Sequence, residues 1–457
     1  MGAEKEIIVA VELGSTAIRA IAGKRETDGI MQVLAIVQEE GVSCIRNGVV
    51  DNIDKTTAAI SRVVKKLNEA LNINTTRVYV GVSGQSLHAV KNHVTKTFEG
   101  KTLITAQMVE SLRETNHGVI YPDAQIKEVV PQEYGLGTRT ITDPVGVQSE
   151  QVEGRYLNII ARSSLSENIE RCVHNAGLEV AGMPITPVCL ADFLLTSNEK
   201  RSGCALVDIG AETTTIIVYT NKILRQLVVI PVGAADVTND IASYNIDPEE
   251  AEMLKLTYGN AWQDEEQEDK SAKITLSHNR SIDATMLQEI VEARYEEIIL
   301  NVWSRIKEHN DKILSGIVFT GGGSKIKNLL EAFKKHTDVD KQLRVAKGMP
   351  VNVTLAPTVQ TGDRNIYSLI GILLKGDQNC VGEPPSAPRE VQTELDFGME
   401  KEEAVQPNKP ATTEEEPAQE TPTADTDPQP KAKQRSLGSR LKKFWGKVSE
   451  MLSEPEE

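Results

Sequence analysis

The feature that most constrains this chain is a short segment, CALVDIGAETTTIIVYT, which runs from Cys204 to Thr220. The apolar run at its start and the β-branched run at its end predict two strands joined by a tight turn. An acid, Asp208, stands at the rim of this hairpin, and Gly210 permits a close backbone approach that a Cβ would prevent. The turn N–H groups and threonine hydroxyls could cradle a phosphate, with Asp208 as a partner for Mg²⁺ or its water. Taken alone, the segment fits an ordinary Asp-Gly hairpin at least as well.

A second segment with the same pattern favours the phosphate-binding interpretation over an ordinary hairpin. Residues Ile7 to Ile21, IIVAVELGSTAIRAI, repeat a β-rich run, an acid (Glu12), a glycine with two hydroxyl residues, and an outgoing strand. A third apolar run, GIVFTGGGSKI, ends in glycines that would let backbone lie flat against a nucleotide and open a helix. Two acid-glycine-hydroxyl hairpins followed by a strand-GGG-helix resemble the ordered signature of the actin-like ATPase fold.

Composition and charge narrow the class of protein further. A length of 457 residues suggests two or more domains, and 39% hydrophobic residues suffice for packed, mainly aliphatic cores. The net charge of −16 argues against a nucleic-acid binder. The five widely spaced cysteines fit buried thiols in a reducing cytosol. We expect neither a signal peptide nor a transmembrane segment, because the charged N-terminus runs directly into a strand and no apolar run is long enough.

The pattern of elements predicts an α/β fold of two halves with an insert. Residues 1 to about 83 predict a hairpin, a helix from Thr56 to Leu71 and a further strand, which suggests one half of a ribonuclease-H-like unit. From about Gln85 to Arg162, strand-like runs surround a short helix, as in a small α+β insert. The second half begins at the Asp208 hairpin and contains a long amphipathic helix from about Thr285 to Asn310.

The C-terminal part of the chain has a different composition. Residues 383–430 carry 13 acids, 3 bases and 9 prolines with almost no apolar periodicity, which predicts a self-repelling, disordered acidic linker. Residues 431–447 then carry seven bases and no acid. At helical spacing the apolar side chains that follow form one stripe beside the basic face.

This basic, amphipathic segment predicts a helix that lies in an anionic membrane surface. The alternative is a helix that docks in a partner protein's groove, but an interfacial Trp and clustered bases favour lipid headgroups. The predicted membrane residues are Leu437, Leu441, Lys442, Lys443, Phe444, Trp445, Lys447 and Val448.

The ordered motifs also resemble one family. VAVELGST, VDIGAETTT and FTGGGSKI, together with AEMLKLTYGNA and VEARYEEII, resemble the bacterial cell-division protein FtsA over about residues 6 to 378. The resemblance implies ATP and Mg²⁺ in a cleft between the two halves. It also implies a division of the first half into domain 1A, at 1–84, 164–201 and 361–380, and domain 1C, at 85–163. The second half would divide into domain 2A, at 202–238 and 313–360, and domain 2B, at 239–312. A linker at 381–434 and a membrane helix at 435–453 would follow.

The family's binding residues carry over onto matching positions of this sequence. The resemblance implies phosphate contacts from two turns: Gly14, Ser15, Thr16, Gly210, Thr213 and Thr214. It implies that Asp208 and Glu12 manage Mg²⁺ and its waters, and that the adenosine faces three glycines, Gly321, Gly322 and Gly323. It places Glu252 and Lys255 at the ribose, although an exposed i,i+3 ion pair would explain these two residues equally well.

Three departures from the family pattern bear on chemistry. The first acid is usually Asp, so the longer Glu12 must retract or bind metal differently. Glu212 stands where Gly is commoner and adds negative charge near the phosphates unless it points away. Thr186 stands where many actin-like filament proteins have a water-activating Glu, and a hydroxyl is a poor general base. We therefore expect tight nucleotide binding with feeble hydrolysis.

The resemblance also implies partners and a location. FtsA-like proteins form actin-like filaments and bind the C-terminal peptide of the tubulin-like FtsZ through domain 2B. Arg294 and Glu297 match the partner-contacting helix, although a solvated helix face explains either residue alone equally well. Other division proteins would dock on the insert. The place implied is the cytoplasmic side of the bacterial inner membrane at the division septum.

Two other functions of the same superfamily stay open at this point, because a fold does not fix a function. A small-molecule kinase would need an aspartate base near a substrate pocket, and the sequence shows none that we can identify. A pilus-assembly scaffold of the PilM type shares a 1C-like insert but would lack the basic amphipathic tail.

Overall fold

The computed structural model describes residues 6–41, 43–263, 273–277, 280–348, 352–357, 359 and 366–382. All of them lie within one compact unit, residues 1–389. The predicted acidic linker beyond residue 382 and the predicted membrane helix at 435–453, with its residues Leu437 to Val448, lie outside the described residues. No helix in the described part of the chain combines the length and the apolar character that crossing a bilayer requires.

The described chain contains both strands and helices. The strands are β1 (Ile7–Leu13), β2 (Ala17–Arg25), β3 (Met31–Glu40), β4 (Ile45–Arg46), β5 (Val49–Val50), β6 (Arg77–Val80), β7 (His88–Leu103), β8 (Ala124–Leu136), β9 (Arg139–Ile141), β10 (Gln148–Arg162), β11 (Glu179–Gly182), β12 (Cys204–Ile209), β13 (Thr214–Thr220), β14 (Ile223–Ile230), β15 (Lys273–Thr275), β16 (Ser281–Asp283), β17 (Ile317–Thr320), β18 (Leu343–Val345) and β19 (Val353–Leu355). The α-helices are α1 (Ile53–Leu71), α2 (Ala106–His117), α3 (Ser163–Asn175), α4 (Thr186–Leu194), α5 (Ser197–Ser202), α6 (Ala234–Ala242), α7 (Pro248–Tyr258), α8 (Ala284–Ile306), α9 (Leu329–Thr337) and α10 (Tyr367–Lys375). Short 3₁₀ helices span Lys307–Lys312 and Gly322–Lys325.

Two sheets share one strand order. The first sheet runs β11-β6-β1-β2-β3, with β19 added beside β3, and the second contains β18-β17-β12-β13-β14. In each sheet the three hairpin strands are antiparallel. The other two strands of each set lie parallel on the far side of the first strand. The common order confirms the prediction of two related α/β halves.

The insert between the halves is an α+β unit, as predicted. Strands β7, β8 and β10 pair antiparallel, and helix α2 packs against them. A separate hydrophobic cluster, which includes Ile104, Leu112 and Tyr156, fills the space between. The pair Val228↔His88 joins this sheet to β14, so the insert extends the sheet of the second half.

Helical periodicity decides which faces are buried. In α1 the Asn52 side chain accepts a hydrogen bond from the Lys55 N–H and caps the first turn, which otherwise has unpaired N–H groups. The residues of α1 that face the first sheet include Ala59, Ile60 and Leu67, and all three are fully buried. The long helix predicted from Thr285 to Asn310 is α8, which ends at Ile306 and continues as a 3₁₀ helix.

The end of the described chain returns to its beginning. Helix α10 packs against α4 and β1. The Cys380 N–H then donates a hydrogen bond of 2.8 Å to the Ile7 carbonyl, and the Gly382 N–H donates one of 3.2 Å to Asn74. These contacts fix the first strand, so Glu12 at its end is held in a defined place.

Candidate functional site

The two predicted turns have the same geometry. The Gly14 N–H donates to the Ala17 carbonyl at 3.1 Å, and the Gly210 N–H donates to the Thr213 carbonyl at 2.8 Å. A Cβ on either glycine would lie 2.8 or 2.9 Å from the carbonyl oxygen of its own turn, which is too close for an L side chain. The repeat seen in the sequence is therefore a repeat of structure, and both glycines are required by it.

Strand pairing places the two acids at equivalent positions. Glu12 pairs with Arg19 across the first hairpin, and Asp208 pairs with Thr215 across the second. Each acid comes two residues before the glycine of its turn. The structure thus brings Glu12 and Asp208 to corresponding ends of the first strand in each half.

Glu12 is held by the protein itself. One carboxylate oxygen accepts a hydrogen bond from Arg19 at 3.5 Å, and the other accepts one from the Ser368 hydroxyl at the start of α10. Burial nevertheless raises the pKa of Glu12, although Arg19 and Ser368 oppose the rise. The extra methylene of Glu12 is accommodated by these two contacts.

Asp208 differs from Glu12, because no described residue donates a hydrogen bond to its carboxylate. Burial raises the pKa of Asp208 to about 7, and the nearby negative charge of Glu12 adds to the rise. The two carboxylates are therefore near enough for the charge of Glu12 to affect Asp208, and Glu12 is the one whose oxygens already accept hydrogen bonds from the protein.

Such a pair fits a hard divalent cation that keeps part of its hydration. Mg²⁺ prefers oxygen ligands and is usually held by one or two carboxylates with waters and phosphate oxygens. The described residues contain no group of three or more His, Cys, Asp or Glu side chains that could enclose a metal. Asp208 and Glu12 are the residues that could hold a Mg²⁺ ion bound to phosphate oxygens, and such an ion would neutralise their charges.

The glycine motif after β17 packs beneath Asp208. Gly321 has φ +87°, and a Cβ there would lie 2.4 Å from an Asp208 carboxylate oxygen. Gly323 is buried and its carbonyl accepts a hydrogen bond of 2.8 Å from the Tyr295 hydroxyl, whereas Gly322 is exposed. The three predicted adenosine-facing glycines therefore have different surroundings.

The hydroxyl residues of the two turns differ in exposure. Ser15 and Thr213 are partly exposed and Thr16 is exposed. Thr214 is fully buried, and its hydroxyl donates to the Val232 carbonyl at 2.8 Å. The only proton of the Thr214 hydroxyl is thus already used by the backbone, while Ser15, Thr16 and Thr213 remain accessible.

Helix α6 begins directly at the second turn. The Ala234 N–H donates to the Gly210 carbonyl at 2.9 Å, and the Ala235 N–H donates to the Ala211 carbonyl at 2.7 Å. Asp236 caps the helix by accepting from the Gly233 N–H at 2.9 Å. Sequence reasoning missed this helix start, although the acid three residues after Gly233 was a usable capping signal.

Glu212 is held by a backbone group of the first half. Its carboxylate accepts a hydrogen bond of 2.6 Å from the backbone N–H of Asn47, which has φ +49° in the β4–β5 turn. Because Asn47 belongs to the first half and Glu212 to the second, this bond connects the halves. The effect of the Glu212 charge on bound phosphates stays a prediction.

Glu252 and Lys255 belong to one hydrogen-bonded network. Lys255 is only 6% exposed, and its ammonium donates to the Ala234 carbonyl, the Thr238 hydroxyl and the Glu252 carboxylate at 3.0, 2.9 and 2.6 Å. The interpretation of this pair as exposed is therefore wrong for Lys255. The network joins α7 to the start of α6, and a ribose contact stays a prediction.

Arg294 and Glu297 are also held internally. Arg294 contacts Asp240 at 2.6 Å and Glu297 at 2.5 Å. Glu297 is 3% exposed, so the interpretation of a solvated helix face is wrong for this residue. A partner-binding role for the two residues stays a prediction.

Thr186 lies at the first position of α4 and is buried. Its N–H donates to the Val82 carbonyl at 2.9 Å, and a Cβ on Gly81 would lie 2.3 Å from its hydroxyl. The side chain is thus packed into a tight corner. Feeble hydrolysis stays an expectation that rests on the weak basicity of a hydroxyl.

The raised pKa of Asp208 predicts a pH-dependent stability. Between the usual value of 3.8 and about pH 7 the folded protein binds more protons at Asp208 than the unfolded chain does, so stability falls as pH rises through this window. Asp208→Asn should therefore stabilise the nucleotide-free protein at about pH 8 by up to a few kcal/mol, since one pKa unit is about 1.4 kcal/mol. The gain should shrink toward pH 4 in chemical denaturation experiments.

Asp192→Asn is the matched control, because Lys200 and Lys375 bind Asp192 and, against the effect of burial, hold its pKa below the usual value. That substitution should destabilise the protein at neutral pH, and the loss should diminish as pH falls. An Asp208→Asn effect that does not change with pH would contradict this account of the site.

The relatives of this chain agree with the fold and with the family resemblance. A family model described as "Cell division protein FtsA" matches residues 205–362. "Cell division protein FtsA" of Porphyromonas gingivalis is 32% identical over 384 residues, which cover 82% of this chain and 79% of that protein. The protein of the same description from Pseudomonas aeruginosa is 27% identical over 383 residues, which cover 82% of this chain and 90% of the relative.

A solved structure shows the same architecture. The "PilM-PilN type IV pilus biogenesis complex" matches with a TM-score of 0.57 and 16% identity over 80% of this chain and 97% of that chain. At this identity the likeness concerns the fold alone, and it agrees with the predicted actin-like fold. The extent and identity of the sequence match answer the question of family: the chain belongs to the FtsA family of cell-division proteins.

Proposed function

We propose that this protein binds ATP with Mg²⁺ between its two glycine turns, forms actin-like filaments, and holds FtsZ filaments at the cytoplasmic membrane. The observation that carries the proposal is the pair of equivalent turns with Glu12 and Asp208 at their bases. Each turn presents backbone N–H groups and accessible hydroxyls, which suit phosphate oxygens.

Electrostatics favours a metal-nucleotide complex over a free nucleotide. Two carboxylates repel an approaching triphosphate, and burial raises the pKa of both acids even though Arg19 pairs with Glu12. Mg²⁺ bridging phosphate oxygens would stabilise the ionised Asp208 and reverse the local charge. The site therefore selects ATP·Mg²⁺, with hydrolysis at most weak.

Membrane attachment is proposed from the sequence of the tail. A near-surface Lys or Arg is worth about 1 kcal/mol at an anionic membrane, so one basic amphipathic helix gives only modest affinity. A filament links many such helices, and the second and later helices bind from a high effective concentration. Filament formation by the nucleotide-bound head would thus make peripheral attachment at the septum stable.

The partner assignment is proposed for the α6–α8 region. Arg294 is held by ion pairs to Asp240 and Glu297, so its exposed part would be preorganised for the FtsZ C-terminal peptide. Glu297 is buried and would act by positioning Arg294. The insert has a hydrophobic core of its own. We assign the surface of this insert to the binding of other division proteins.

Calorimetric titration with ATP tests the nucleotide site. Wild-type protein should bind ATP at least about tenfold more tightly with Mg²⁺ than with EDTA, a difference of about 1.4 kcal/mol. Asp208→Asn should lose most of this Mg²⁺ dependence, because the ionised ligand is gone. Asp340→Asn, an exposed acid after α9, is the control. Equal Mg²⁺ dependence in all three proteins would rule out Asp208 as the metal ligand.

Co-sedimentation with anionic vesicles tests the adaptor function. The full chain with ATP and Mg²⁺ should carry a labelled FtsZ C-terminal peptide into the pellet, and a chain ending at Val381 should not. Trp445→Glu should weaken pelleting strongly, whereas Ser439→Glu, on the opposite side of the predicted helix, should change it little. Equal pelleting of the full and shortened chains would remove the membrane claim, and pelleting without the peptide would remove the FtsZ claim.

A further inference from the structure

Thr320, the last residue of β17, carries a buried hydroxyl that the fold does not use. The residue is 1% exposed, and its hydroxyl has no hydrogen-bond partner among the described residues. Valine has nearly the same shape and packs well in strands. Because a buried hydroxyl without a partner is destabilising relative to such an apolar residue, packing alone does not explain a threonine at this position.

Strand register places Thr320 next to Asp208. The parallel strands β12 and β17 pair these two residues, and neighbouring strands lie about 4.8 Å apart. Side chains two residues apart on a strand lie on the same face. Leu206 and Val318, which precede Asp208 and Thr320 by two residues, pack in one and the same hydrophobic cluster. Asp208 and Thr320 therefore share one face of the sheet.

The two neighbouring side chains have complementary unused groups. No described residue donates a hydrogen bond to the Asp208 carboxylate. The Thr320 hydroxyl has one proton to donate, and no described residue accepts it. Rotation about side-chain bonds between staggered positions is all that is needed to bring such a donor and acceptor together.

The first half holds its acid in a different way. Glu12 already accepts hydrogen bonds from Arg19 and Ser368. The pairing of Val11 with Val80 places Gly81, the next residue, at the position equivalent to Thr320. The repeated strand framework therefore does not require a hydroxyl beside the acid, and the hydroxyl occurs in the half whose acid has no donor.

We propose that Thr320 is a positioning residue for the metal ligand: its hydroxyl donates to the Asp208 carboxylate and holds it in one orientation when Mg²⁺ is bound. The inference rests on the proposed nucleotide function, because it concerns the same acid. Carboxylates that bind metal ions are themselves hydrogen-bonded as a rule, and loss of such a partner typically lowers metal affinity about 10- to 100-fold.

Thr215 is the alternative donor. Strand β13 pairs it with Asp208 from the other side, and it is 6% exposed. Thr320 is preferred because its hydroxyl is enclosed as well as unpaired, so a hydrogen bond to Asp208 would remove an existing cost.

Calorimetric titration of the full chain with ATP, in Mg²⁺ and in EDTA, tests this assignment. Thr320→Val should remove most of the gain in ATP affinity that Mg²⁺ gives the wild type, a loss of about tenfold. Thr320→Ser keeps the hydroxyl and should retain most of the gain. In the Asp208→Asn background, Thr320→Val should cause no further loss, because the hydroxyl acts only through that carboxylate.

The melting temperature without metal and nucleotide separates a positioning role from a structural one. Thr320→Val should leave it unchanged or raise it, because a methyl group replaces an unpaired hydroxyl. Thr56→Val is the matched control, since it removes an equally buried hydroxyl that donates to the Asn52 carbonyl at 2.7 Å. This control should lower the melting temperature and leave the Mg²⁺ gain as it is in the wild type.

Four results would overturn the inference and leave the proposed nucleotide function intact. They are a full Mg²⁺ gain in Thr320→Val, a Thr320→Ser protein as weak as Thr320→Val, an equal loss in Thr215→Val, and a lowered melting temperature of Thr320→Val without metal. A wild-type protein whose ATP affinity does not depend on Mg²⁺ would instead overturn the proposed function, and this inference with it.

Discussion

The loss of hydration at two acids, Glu12 and Asp208, is the constraint on which the rest of the structure depends. Each acid is the penultimate residue of the first strand of its half, and burial raises the pKa of Asp208, with a smaller contribution from the charge of Glu12. A folded protein keeps such a pair only where the surrounding structure holds it in place. Here the hairpin glycines, the Ser368 hydroxyl and the glycine motif after β17 do so.

The same constraint explains how the halves are connected. Glu12 is bound by α10, which returns to the first strand from the far end of the described chain. Glu212 reaches from the second turn to the Asn47 backbone of the first half. The start of α6 rests on the second turn, and Lys255 ties that start to α7. Contacts from both halves therefore meet at the two turns.

The sequence allowed the repeated framework to be predicted because that framework is local. Hairpins, their glycines and the strand-GGG-helix depend on neighbouring residues and on alternation, and the predicted hairpins are present in both sheets. The contacts of the site residues are long-range, so periodicity could not show them. The hydrogen bond from Ser368 to Glu12 joins residues 356 positions apart. The one from Asn47 to Glu212 joins residues 165 positions apart.

The sequence patterns also could not predict which polar side chains are buried. Lys255, Glu297 and Thr214 are polar residues that would ordinarily be exposed, yet each is buried with its hydrogen bonds satisfied. The interpretations that treated Lys255 and Glu297 as surface charges failed for this reason. Family resemblance placed these residues near functional regions, but only the structure shows what holds them.

A crystal structure of the full chain with Mg²⁺ and a non-hydrolysable ATP analogue tests the central claim most directly. We predict phosphates between the Gly14–Ala17 and Gly210–Thr213 turns, a metal ion beside Asp208, and Glu12 still bound to Arg19. A structure in which side chains fill the space between the turns, or in which the nucleotide binds elsewhere, would contradict the claim that the two halves form a nucleotide clamp.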